Sequence, residues 1–107
     1  MKKKTGSEAK SKAKMIAIPC LVSPGMFSTE RQVVIKLPDG QEIDALVDHR
    51  SVVVKQKLQT GKPVSGFVNV SLVHYDKQTK QALIDLPQGS FITGPRIRVP
   101  SKMVQAA

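Results

Sequence analysis

The chain has 107 residues, 40% hydrophobic and 4% aromatic with no tryptophan, and seventeen Lys and Arg against eight Asp and Glu give it a net charge of +9. That length suits one small domain, or one domain with a tail. The single cysteine, Cys20, excludes an intramolecular disulfide and a CxxC zinc site, and no segment reaches the roughly 18 apolar residues of a membrane-spanning helix.

The charge is unevenly spread. In "MKKKTGSEAKSKAK" six lysines (Lys2, Lys3, Lys4, Lys10, Lys12 and Lys14) stand against Glu8, for +5, while residues 15–107 carry eleven basic and seven acidic side chains, for +4. Between Lys2 and Lys14 nothing apolar is larger than alanine. Burial therefore cannot offset the entropy of ordering, and residues 1–14 read as a disordered basic tail on a β domain spanning 15–107. Glu8 and Lys12 stand at i, i+4, which would support a helix on a partner, but the segment is too short to hold one alone.

The apolar run "MIAIPCLV" after the lysines imitates a signal peptide, and "AIPC" imitates a lipoprotein cleavage site. The run is only eight residues long, it contains Pro19, and that proline occupies the place of the small side chain such a site needs. A reducing, cytoplasmic setting is expected. Cys20, between Pro19 and Leu21 in an expected strand with no basic neighbour before Arg31, reads as a buried, inert thiol.

From Met15 onward the apolar period is two, the period of strands. In "ERQVVIKL" Val33, Ile35 and Leu37 share one face, with Arg31 at its open end. "LPDGQ" supplies Pro38, Asp39 and Gly40 for a turn, and "EIDALVD" returns with Ile43, Ala45 and Val47 inward. These make a β-hairpin. The short run "SVVV" leads into "KQKLQTGKPVSG", where Gly61, Pro63 and Gly66 mark a loop. "FVNVSLVHYD" sets Val68, Val70 and Leu72 on one face, "KQTK" turns the chain, and "QALIDLP" brings Ala82, Ile84 and Leu86 inward as a second hairpin. After "PQGSFITGP", "RIRVP" places Ile97 and Val99 inside and Arg96 and Arg98 outside. The fold expected is all-β: a single small antiparallel barrel or sandwich of SH3-like or OB-like size, with five to seven short strands. Closing the sheet would hide its edges.

Residues 30–54, "ERQ" through "LPDGQEIDALVDHRSVVV", resemble in layout the start of a PilZ barrel. That family binds a cyclic dinucleotide through paired arginines and a later Asp/Asn-x-Ser-x-x-Gly. Arg31 lacks the second arginine, Asp48 and Ser51 are separated by two residues, and no glycine stands at the pattern's place after them. The likeness covers about a quarter of the chain without most of the ligand-binding residues, and membership is not assigned on it.

No nucleophile elbow, zincin helix, phosphate-binding P-loop or dinucleotide fingerprint is present, and Gly61–Lys62 lacks the glycine spacing and helix a P-loop needs. His49 and His74 each have a nearby acid, Asp48 and Asp76. Neighbouring strand residues point to opposite faces, so 48 and 49 are not a natural pair. His74 and Asp76 can share a face, but Asp76 begins a turn. The chain is read as a non-enzyme requiring no metal or cofactor.

The remaining candidates are basic. Arg50, Lys55, Lys57 and Lys62 surround the valine run and its loop, and Arg96, Arg98 and Lys102 decorate the last strand. With the tail they would form a phosphate-contacting surface for an acidic partner, most plausibly nucleic acid, held without sequence readout. Phe27, Phe67, Tyr75 and Phe91 are expected to be largely core, which argues against base stacking. The alternative is a protein-interaction or assembly module that uses a sheet edge or the loop at 59–66.

Overall fold

The computed structural model of the chain describes residues 14–87 and 96–107. The expected tail disorder, Lys2, Lys3, Lys4, Lys10, Lys12 and Phe91 all lie outside the described residues.

The described chain is all-β. In order come β1 (Lys14–Pro24), β2 (Glu30–Lys36), β3 (Glu42–Asp48), a 3₁₀ turn (His49–Ser51), β4 (Val52–Val54), β5 (Val64–Asp76), β6 (Gln81–Asp85), β7 (Arg96–Pro100), a second 3₁₀ turn (Ser101–Met103) and β8 (Gln105–Ala106). They form one antiparallel sheet ordered β3-β2-β1-β5-β6-β7, with β4 added to β5 and β8 added to β1.

The centre of the sheet is the long pair β1 and β5, in register from Lys14 opposite Leu72 to Val22 opposite Val64. Each changes its second partner along its length. β1 pairs β2 over residues 21–24 and β8 at residues 16–17. β5 pairs β4 over residues 66–68 and β6 over residues 71–76, with a bulge between Leu72 and His74. The hairpin of β2 and β3 thus grows from one end of the central pair, and that of β6 and β7 from the other. Among the described residues the edge strands β3 and β7 do not meet and have no second partner, and the sheet is an open, curled half-barrel rather than a closed one.

The inner face is nearly all aliphatic. Ile18, Val22, Val33, Ile35, Val68, Ala82 and Ile84 are fully buried, and Ile43, Ala45, Val47, Ile97 and Val99 line the outer strands as the alternation requires. Both hairpins have the expected turns. Gly40 takes φ +95°, its amide donates to the Leu37 carbonyl at 3.0 Å, and the Asp39 carboxylate accepts from the Gln41 amide at 2.9 Å. At the second turn the Asp76 carboxylate accepts from the Gln78 and Thr79 amides at 2.9 and 3.3 Å, and Lys80 takes φ 57°.

The central strands are long, at 11 and 13 residues, and β8 is a further strand of two residues. One expectation is corrected. Gly66 is not a loop residue. It pairs with Cys20 on one side and Val54 on the other, inside β5. A Cβ there would lie 2.6 Å from Val54 Cγ1, 2.7 Å from the Val53 carbonyl oxygen and 3.1 Å from Val22 Cγ2. Gly66 is the point at which the inner face folds tightly enough for valines of two neighbouring strands to close over the backbone.

Gly66→Ala should lower the unfolding free energy by about 2–3 kcal/mol through overpacking. Gly40→Ala, which meets no atom within 4 Å, should cost only about 1 kcal/mol for its left-handed backbone. Urea denaturation of both variants checks this, and an equal or smaller loss at Gly66 would contradict the close approach. Cys20 is buried on the same inner face, and burial pushes its thiol up to about 12. A thiol reagent at pH 8 should leave the native protein unmodified and label it only in step with unfolding; fast labelling without denaturant would refute its burial.

Candidate nucleic-acid interface

The antiparallel register sorts the basic residues into two groups. At the end where β1 finishes and β5 begins, the chain between β4 and β5 (residues 55–63) makes an arm. Within it Gln59 bridges Lys62, the Lys62 amide donates to the Gln59 carbonyl at 3.2 Å, and Gly61 takes φ 80°. The fold back places Lys57 and Lys62 in the wall of one depression of about 450 Å³, with Gln56, Gln59, Pro63 and Val64. Gln56 also lines an adjoining outer-face depression of about 380 Å³ whose walls include Lys55, Val53, Pro19 and Phe67. These last three form a row, since Phe67 stands opposite Pro19 on β1 and Val53 on β4.

The arm's charge is uncompensated. Residues 49–75 contain no acidic side chain, and among the described residues Lys55, Lys57 and Lys62 form no ion pair. Arg50, in the turn before β4, is different. Its Nε and one terminal nitrogen donate to the two Asp48 oxygens at 3.0 and 3.2 Å, and its amide donates to Asp48 Oδ1 at 2.8 Å. These bonds, the guanidinium's first, hold the Asp48 carboxyl down at about 2.

The second group lies at the other end of β5, about 30 Å away along the strand. Arg96 does project outward, but Asp85 stands directly opposite and accepts from its Nε and a terminal nitrogen at 2.8 and 3.1 Å. That pair raises the arginine's pKa and lowers the aspartate's. Arg98 has no carboxylate partner among the described residues. It lines a small depression of about 110 Å³ with His74, Asp76, Gln81 and Leu83. Lys102 is exposed in the second 3₁₀ turn, and the Ser101 amide beside it donates to the Lys80 carbonyl at 2.9 Å. Lys77 and Lys80 of the β5–β6 turn join this end; their part in the charge distribution is visible only once β7 is seen to return beside them. Lys14, the root of the tail, opens β1 opposite Leu72 at this same end.

The expectation of one continuous basic surface is therefore corrected. The arm and the β7 group occupy opposite ends of the central pair, and Arg50 and Arg96 are engaged by carboxylates. The aromatic expectation is corrected too. Phe27 is 63% exposed in the β1–β2 loop, beside Met26 at 86%, and Tyr75 is 44% exposed. Among the described aromatics only Phe67 is half-buried, on the outer face and not in the core.

The residues weighed for catalysis do not gather. His49 is in the turn after β3, and His74 lies beyond the bulge of β5. Although His74 and Asp76 line one depression, the aspartate's oxygen is occupied by the amides of its own turn. Among the described residues no three His, Cys, Asp or Glu side chains cluster as metal ligands would. No helix among them is long and apolar enough to cross a membrane. Arg31 donates to the carbonyls of Ser28 and Glu30 at 2.9 and 2.7 Å and so closes its own loop, away from the ligand-arginine role the PilZ layout implied.

Because the folded Asp48 pKa lies below the ordinary aspartate value near 3.9, its ion pair contributes stability above about pH 4 and loses it as pH falls through 2. Asp48→Asn should therefore be less stable than the parent at pH 7, and the difference should shrink between about pH 4 and pH 2. Thermal melts across that range check it, and a difference independent of pH would refute the pairing. No family model, no curated protein and no solved structure matches the chain.

Proposed function

We propose that this protein is a non-enzymatic binding module that holds a polyanion, nucleic acid first among them, in a reducing cytoplasmic setting. The observation that supports the reading is the arm: three lysines lining two adjoining depressions in an acid-free stretch of 27 residues, beside an outer-face row of Val53, Phe67 and Pro19. Lysine ammonium groups without carboxylate partners are free to neutralise phosphates, and each phosphate neutralised releases condensed counterions. The tail lysines extend the same chemistry from the opposite end of the central pair, together with Arg98 and Lys102. Arg96 and Arg50 contribute less, since each must leave a carboxylate to reach a phosphate.

Such contacts position a polyanion without reading its sequence. Phe67 and the exposed Phe27 lie at the arm's end of the sheet, and they offer apolar faces to an unpaired base, which favours single-stranded or looped nucleic acid over a regular duplex. A depression of about 460 Å³ beside β3, partly walled by Met26, Gln32 and Leu46, has Asp44 as its one charged side chain and would repel a phosphate.

Anisotropy titrations of a labelled oligonucleotide over a range of salt concentrations test the reading. Lys55→Ala/Lys57→Ala/Lys62→Ala should flatten the slope of log K against log[salt] by about 2 to 3, and deletion of residues 1–13 by about 4, the values expected when each lysine meets one phosphate. An unchanged slope in the triple variant would remove the arm from the site, and unchanged slopes in both would overturn the reading.

A further inference from the structure

The open sheet leaves two edges, and their charges are opposite. β3 carries Glu42, Asp44 and Asp48 and no basic residue, while β7 carries Arg96 and Arg98 and no acid. The asymmetry extends inward: residues 30–48 hold five of the seven acids found after Glu8, against only Arg31 and Lys36. Among the described residues β3 pairs only with β2, and β7 only with β6. The two edge isoleucines are also among the least covered members of the core, Ile43 at 7% and Ile97 at 8%, where the fully buried ones are at 0%. Among the described residues each lacks a strand partner on its outer side.

We propose that the β3 edge of one copy pairs with the β7 edge of another, so that the chains assemble head to tail as a continued sheet. Several constraints select this occupant. A strand added to either edge satisfies its free amides and carbonyls. The order β3-β2-β1-β5-β6-β7 has an even number of antiparallel strands, so β7 of one copy meets β3 of an identically oriented copy antiparallel, as the rest of the sheet requires. Like edges are disfavoured, because two β3 strands would oppose carboxylates and two β7 strands would oppose guanidinium groups.

The side chains also fix a register. Setting Ile97 opposite Ile43 brings Arg96 opposite Asp44 and Arg98 opposite Glu42 on the outer face, while the two isoleucines cover each other on the inner face. Shifting by two residues sets Arg96 against Leu46 and loses one of the two charge pairs. Arg96 already leans on Asp85, and a carboxylate on its other side completes a row of alternating charge, Asp85–Arg96–Asp44. Contact between unlike edges is heterologous, so the assembly is a ring or an open row rather than a two-fold dimer. It uses β3 and β7 and leaves the lysine arm free, so it shares only Arg96 and Arg98 with the polyanion reading and does not rest on it.

Sedimentation velocity on the full chain, from micromolar to millimolar and without nucleic acid, should show salt-sensitive self-association. Glu42→Arg and Arg98→Glu should each move the association to at least about tenfold higher concentration. The double variant, with the pair exchanged, should recover it, which a folding defect would not do. In parallel, Asp44→Cys and Arg96→Cys chains mixed under mild oxidation should give a mixed disulfide dimer, and neither should cross-link alone; Cys20 is buried and does not compete. A parent chain that stays monomeric throughout would overturn the proposal. So would cross-linking of Asp44→Cys with itself, which would mean a symmetric β3 contact, or failure of the exchanged pair to recover association.

Discussion

The structure depends on the pairing of β1 with β5. Nine consecutive positions are in register, and the strands are long enough that neither keeps one second neighbour throughout. β1 passes from β8 to β2 and β5 from β4 to β6, so the two hairpins leave the central pair at opposite ends. That single handover explains why the sheet curls without closing, why the basic residues divide into an arm and a distal group, and why two edges of opposite charge remain. Gly66 makes the handover possible. Where β4 begins to occupy the flank of β5, Val54 and Val22 close over a backbone with no side chain.

Much of this was legible in the sequence, because a half-buried antiparallel strand records its own orientation. The alternation of Val33 and Ile35, of Ile43, Ala45 and Val47, of Ala82 and Ile84, and of Ile97 and Val99 placed the inner face correctly, and Asp39-Gly40 marked the first turn. Burial of Cys20 followed from its place in an apolar strand. What failed were readings that depend on what packs across from a residue. Glycine punctuates loops and also permits close approach inside strands, and only the valines above Gly66 distinguish the two. Phe27 and Tyr75 were read as core from their chemistry, yet one sits in a loop and the other beyond the bulge near the end of β5, opposite Ala82.

The candidate site was legible in composition and not in geometry. That Lys55, Lys57 and Lys62 fall on one arm follows from their spacing around Gly61. That no acid opposes them is also in the sequence, as the gap from Asp48 to Asp76. The engagement of Arg96 by Asp85 was not, because eleven residues separate them and only the register of β6 and β7 makes them neighbours. The alternation that correctly pointed Arg96 outward says nothing of what waits on that face. A basic residue counted toward binding from sequence is one whose cross-strand partner has not been checked.

The two proposals share only Arg96 and Arg98, the lysine arm serving one and the acidic β3 edge the other, and their geometries reinforce each other. In a head-to-tail row every copy repeats the same relation to the next, so the arms recur at a fixed interval along one side, each bearing three lysines. A polyanion that reaches two arms meets the second at the effective concentration set by that interval, so avidity rises without any new contact within a copy. Binding would then draw copies together along the polyanion, and their acidic β3 edges would be occupied by basic β7 edges instead of repelling the phosphates. The acids of residues 30–48, which would weaken a lone copy's hold on nucleic acid, become in the row the means by which neighbours are held.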